Sequence, residues 1–132
     1  MNHVDAAKRI AEEQDNGEKW RKVGDIALSK GLFTLAEECF ERSQDFNSLL
    51  LFYSSYGDQE GLQKMAEAAT QKGKFNVAFE AYYLLAQPDA CINVLVKAKR
   101  IAEATLFAKA YVPSRLTELI KLWEEHLKEQ GL

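Results

Sequence analysis

Catalysis requires reactive side chains that converge, and this sequence offers few candidates. Glu12-Glu13, Glu37-Glu38 and Glu124-Glu125 are carboxylate pairs at adjacent positions. On a helix such neighbours point away from each other, so they read as solvated faces rather than acid–base dyads. Glu125 beside His126 is the one juxtaposition that could move a proton, but no H-E-x-x-H spacing accompanies it and no apolar pocket would tune it. The two histidines, His3 and His126, lie near opposite ends of the chain, and neither Cys39 nor Cys91 has a C-x-x-C neighbour. A zinc site of ordinary spacing is therefore not expected. Both cysteines fall inside apolar helical patterns and read as buried free thiols, a usage that suits a reducing compartment. Gly57 and Gly61 form no G-x-G-x-x-G, no Walker lysine follows them and no strand precedes them. The sequence thus assigns no catalytic, cofactor-binding or metal-binding residue, and no cofactor.

Aromatic residues are the better candidates for function. Phe52, Tyr53 and Tyr56, with Phe79, Tyr82 and Tyr83, occupy more of the helix circumference than one core face needs. Packing between successive helices accounts for most of them, and Tyr56 and Tyr83 are the ones expected to line a partner groove. Trp123 is a third candidate, although it belongs to a complete apolar stripe that also suits a core role.

The elements that must position these residues are repeated helices. Trp20, Val23, Ala27, Gly31, Phe33, Ala36 and Phe40 return as Leu62, Met65, Ala69, Gly73, Phe75, Ala78 and Tyr82, every pair 42 positions apart. A constant offset over seven positions marks an internal repeat. Within one copy, apolar residues at i, i+3 and i+7 occur on both sides of Lys30-Gly31, and glycine suits the left-handed position that closes a helix. Two amphipathic helices joined by so short a break fold back as an αα-hairpin. Ile101 and Ala104 repeat Phe33 and Ala36 at a longer offset, a weaker third copy.

The remaining helices follow from local signals. Val4, Ala7, Ile10 and Ala11 share one face of a first helix that Asp15-Asn16-Gly17 ends. Asp45 caps a helix carrying Phe46, Leu49, Leu50 and Tyr53, which Gly57 closes, and Asp58 caps the next. Phe75 to Leu85 forms another, Pro88 fits the first turn of its successor, and that one runs to a polar break at Lys97 to Arg100. Pro113 ends the helix containing Leu106 and Tyr111. The last helix, from about Ser114 to Gln130, places Leu116, Leu119, Ile120, Trp123 and Leu127 on one stripe, opposite a charged face with Glu124 and Lys128 in the favourable order. The expected fold is all-α, an α-solenoid of about nine antiparallel tetratricopeptide-like helices. Alanines at Ala36, Ala78 and Ala104 would allow close helix approach, and Phe33, Phe40, Phe75 and Tyr82 would fill the layers. Neither end carries a polar capping helix, so residues 1–132 read as a single α-solenoid fragment, truncated from a larger array.

Composition excludes several partners. The chain has 132 residues, 47% of them hydrophobic, and a formal net charge of −3 with both signs interspersed. No basic stripe suits nucleic acid, and no apolar run approaches the roughly 20 residues that span a bilayer. The N-terminus, MNHVDAAKRIAEEQ, is polar and acidic, unlike a secretory signal.

The run from Lys19-Trp20 onward, with Asn76-Val77-Ala78-Phe79, Asp89-Ala90-Cys91, Glu103-Ala104, and Tyr111-Val112-Pro113-Ser114 leading to Lys121-Leu122-Trp123, resembles a C-terminal part of the helical solenoid of the coatomer beta-prime subunits of the COPI vesicle coat. The resemblance covers about Glu18 to Leu127. It implies a cytoplasmic protein, peripheral on Golgi membranes and COPI vesicles through the assembled coat. It also implies a scaffold role in Golgi-to-ER and intra-Golgi transport, with the solenoid of the alpha subunit and other coat subunits as partners. Neither a small-molecule substrate nor an enzymatic activity is implied. The cargo-recognising propellers of that family are not in this sequence, so cargo binding is not carried over. A different reading is a generic tetratricopeptide-like adaptor that clamps short linear peptides, for which Asn47, Asn76 and Asn93 are candidates without a shared repeat position. An enzyme reading would rest on Glu125 and His126.

Overall fold

Ten short helical stretches account for the regular structure of a computed structural model that describes residues 3–14 and 17–131. The helices are α1 (His3–Gln14), α2 (Gly17–Ser29), α3 (Phe33–Ser43), α4 (Phe46–Tyr56), α5 (Gln59–Gln71), α6 (Phe75–Leu84), α7 (Pro88–Lys97), α8 (Ile101–Tyr111) and α9 (Leu116–Glu129). A 3-10 turn, η1 (Pro113–Arg115), precedes the last. No strand occurs among the described residues, as the all-α expectation requires. The Asp15-Asn16 part of the first break lies outside them, as does the Val4 side chain. The chain forms two compact units, residues 1–58 and 59–132.

Connections of two or three residues set the architecture in each unit, and six of them, among the described residues, close their helices in the same way. Gly31, Gln44, Gly57, Gly73, Ala86 and Lys99 all adopt positive φ, between 55° and 77°. In each case the next residue's N–H reaches back to a carbonyl five positions earlier, as in Leu32 to Ala27, Asp45 to Phe40 and Arg100 to Leu95. This is the Schellman closure, which satisfies carbonyls that the helix leaves open. Glycine was the expected occupant at Gly31, and the structure bears that out there. Gln44, Ala86 and Lys99 carry side chains in the same conformation, and no composition signal marks them.

In the first unit one core cluster is Ala11, Trp20, Val23 and Cys39, with Ala7 and Leu35 packed against them. Trp20 and Phe40 are 1% exposed, and each contributes about 2–3 kcal/mol of transfer free energy. Gly24, inside α2, lets α3 come close: a Cβ there would stand 2.7 Å from Phe40 Cε1 and 3.1 Å from Cys39 Cβ. The Asp45 carboxylate caps α4 by accepting from the Ser48 backbone N–H at 3.2 Å, and Arg21 on α2 pairs with it at 3.1 Å. Tyr53 donates its hydroxyl to Glu37 or Glu41, each 3.0 Å away on α3. Burial first, and then these carboxylate partners, drive the Tyr53 pKa well above its usual value.

In the second unit one core cluster is Ile92, Leu95, Ala104, Ala108 and Leu119, flanked by Phe79, Phe107 and Leu122. Pro88 occupies the first turn of α7, where its missing N–H costs nothing. Arg115 ties η1 to α7, donating to Asp89 Oδ1 and carbonyl O at 3.3 Å and to Asn93 Oδ1 at 3.1 Å.

Several expectations are corrected in detail. Phe33 does not fill a layer: it is 43% exposed and meets Tyr56 edge to face, whereas Phe40 and Tyr82 are buried. Leu85 closes α6 rather than extending it. The last α-helix starts at Leu116, because Pro113 first imposes the tighter turn. Ile120 is exposed and Leu119 alone of the α9 stripe is fully buried, so that stripe only partly meets the core. Ala36, Ala78 and Ala104 are each 0% exposed, in keeping with their role at close helix crossings.

Candidate interaction surface

The side chains considered for chemistry are dispersed. His126 Nε2 lies 3.1 Å from Gln130 Nε2, one turn away on α9, and Glu125 beside it is exposed. Cys39 and Cys91 are free and buried, and burial pushes each thiol up to about 11. Such thiols are poor nucleophiles. Among the described residues no group of three or more His, Cys, Asp or Glu is placed to hold a metal ion. No helix among them is long and apolar enough to cross a membrane.

Exposed aromatic clusters, one in each unit, are what the surface does offer. In the first unit Tyr56 stands half exposed on α4, its ring 5.1 Å from Phe33 and 5.0 Å from Phe52. Leu28 and Leu51 extend that patch along a groove of about 450 Å³. In the second unit Phe79 and Tyr83 on α6 meet Phe107 and Tyr111 on α8. Ring centroids are 5.5 Å apart for Phe79–Phe107 and 6.1 Å for Tyr83–Tyr111, and the two tyrosine hydroxyls lie 3.3 Å from each other. This quartet joins residues one helical turn apart on two helices that are not neighbours in sequence. Tyr83 was singled out from the sequence, but Phe107 and Tyr111 were not, because only the α6–α8 approach brings them to it. Trp123 is half-buried on α9, so only part of it is available.

Two of the three asparagines considered as peptide clamps are already engaged. Asn76 accepts from Arg100 at 3.0 Å and Asn93 from Arg115 at 3.1 Å, while Asn47 is exposed. Both arginine-bound amides serve the helical array itself.

Such a helical array with aromatic surface patches has a counterpart in sequence. The COPA/B TPR domain family matches residues 1–124. The chain belongs to that family. Coatomer subunit beta'-3 of Arabidopsis thaliana is 42% identical over 129 residues, coatomer subunit beta'-2 of Oryza sativa subsp. japonica 40%, and coatomer subunit beta' of Rattus norvegicus 36%. Each alignment covers 98% of this chain and 14% of the relative's length. The resemblance to coatomer beta-prime subunits is therefore borne out, and with it the tetratricopeptide-like, all-α solenoid class.

Proposed function

We propose that this chain is a structural scaffold segment of the COPI coat that works by packing against other coat subunits, the solenoid of the alpha subunit first among them. The observation that carries this reading is the match to coatomer beta-prime subunits over 98% of the chain. Stacked helices with exposed aromatic patches suit assembly, since buried aromatic anchors dominate the energetics of protein interfaces. In this reading the chain acts in Golgi-to-ER and intra-Golgi transport, on the cytoplasmic side, reaching Golgi membranes only through the assembled coat. It performs no catalysis, and residues 1–132 act as one segment of a longer helical array.

Tyr56, Tyr83 and Trp123 are the proposed contact residues. Titration calorimetry of the chain against the alpha-subunit solenoid is expected to show saturable binding. Alanine at Tyr56, Tyr83 or Trp123 is expected to weaken it by about 1–2 kcal/mol at any position in the interface core. A folded chain that releases no heat with that solenoid at any concentration tested overturns the reading. The generic adaptor reading loses two of its three clamp candidates, because Asn76 and Asn93 are bound to arginines of the same chain.

A further inference from the structure

The α6–α8 face of the second unit holds a groove of about 660 Å³ beside the aromatic quartet, a volume within the ordinary range of ligand clefts. Its walls are apolar, with Phe79, Leu106, Phe107 and Tyr111, and its charges are unequal. Arg100 is neutralised from within, since its guanidinium pairs with Glu103 and donates to Asn76. Glu80 is exposed, projects from the turn between Phe79 and Tyr83, and has no ion pair or hydrogen bond among the described residues. The groove therefore carries one uncompensated negative charge beside three aromatic rings, Phe79, Phe107 and Tyr111. Ring faces are themselves negative, and attract a guanidinium or ammonium within about 6 Å of the centroid.

We infer that this groove takes an arginine or lysine side chain from an extended segment of a partner protein, the methylene stem lying on the aromatic rings and the cation facing Glu80. Charge complementarity selects that occupant. A neutral apolar segment would leave Glu80 desolvated and unpaired, and an acidic one would be repelled. The inference rests on reading the chain as an assembly scaffold, but it names a surface and a ligand chemistry that the coat reading leaves open.

The test uses the whole 132-residue chain and a pair of blocked octapeptides with one central arginine among leucines and alanines, the second carrying the uncharged isostere citrulline instead. Amide resonances of α6 and α8 are followed during titration at low ionic strength. The arginine peptide is expected to perturb those two helices and to bind about tenfold more tightly than the citrulline peptide. Glu80→Gln, at an exposed site, is expected to reduce that preference to about threefold, the share left by the ring faces, and Tyr111→Ala to weaken both. Equal binding of the two peptides by the unaltered chain overturns the proposal, as do shifts confined to other helices. Groove resonances that move with protein concentration alone, before peptide is added, also overturn it, because a second copy would then be the occupant. No coat subunit enters the measurement. An arginine preference that survives loss of alpha-subunit binding overturns only the coat reading, and the converse overturns only the groove.

Discussion

Cys39 and Cys91 are fully buried, and desolvation pushes each thiol from its ordinary 9.0 up to about 11. The fold therefore keeps both as neutral thiols. Stability from that preference is complete below pH 9 and is lost as pH rises towards 11, on the order of 2 kcal/mol for each thiol. Urea unfolding midpoints are expected to fall across that window, and a Cys39→Ala/Cys91→Ala chain is expected to lose much of the decline. Thiol reagents at neutral pH are expected to label the native chain only at the rate at which it opens. Gly24 is the other residue whose environment decides its worth. Alanine there gains about 1 kcal/mol of helix propensity. It also forces a methyl to within 2.7 Å of Phe40, a ring only 1% exposed that has nowhere to move. Overpacking of this kind costs about 1–3 kcal/mol, so Gly24→Ala is expected to destabilise by up to about 2 kcal/mol in denaturant unfolding. A gain in stability would show that α2 and α3 approach less closely than described.

At the scale of elements, the closures between helices make opposite predictions for two kinds of site. Ala86 sits at φ +56°, where a Cβ is strained, so Ala86→Gly is expected to raise the unfolding free energy by up to about 1 kcal/mol. Gly31 has φ +74° with open space where a Cβ would stand. Gly31→Val thus costs backbone strain alone, about 1–2 kcal/mol, and a melting temperature raised at Ala86 and lowered at Gly31 would verify the pair. The same closures explain what could be read in advance. Helix positions were legible because burial of Trp20, Val23, Ala27 and their partners imposes a 3.6-residue period on the sequence. Breaks were legible where glycine occupies the left-handed residue, and less so at Gln44, Ala86 and Lys99, where the helices packed on either side hold an ordinary residue in that conformation. Tyr56 and Tyr83 could be chosen as surplus to the core stripe. The quartet containing Tyr83 could not, because spacing within one helix carries no information about which distant helix lies alongside it. Phe33 misled for a related reason: its position repeats a core pattern, but of the neighbours it meets Phe52 is only half-buried and Tyr56 is exposed.

For the whole molecule, the two tryptophans are reporters placed one in each compact unit. Trp20 is 1% exposed and lies under the Arg42 guanidinium at 4.8 Å, whereas Trp123 is half-buried. Trp123→Phe is expected to leave blue-shifted emission from the first unit, and Trp20→Phe a redder signal from the second. Their denaturation curves then follow each unit by itself. The left-handed closures also fix a rotational phase. They recur every thirteen residues, except that sixteen separate Gly57 from Gly73. At about 100° per helical residue, three extra residues turn a helix by about 300°, which returns its apolar face to within about 60° of where it would have been. A whole added turn is thus nearly silent, whereas two added residues would rotate the face by about 200° and present Leu62 or Met65 to water. Relatives of this chain can differ in helix length by three or four residues, and not by two, without repacking what lies beneath.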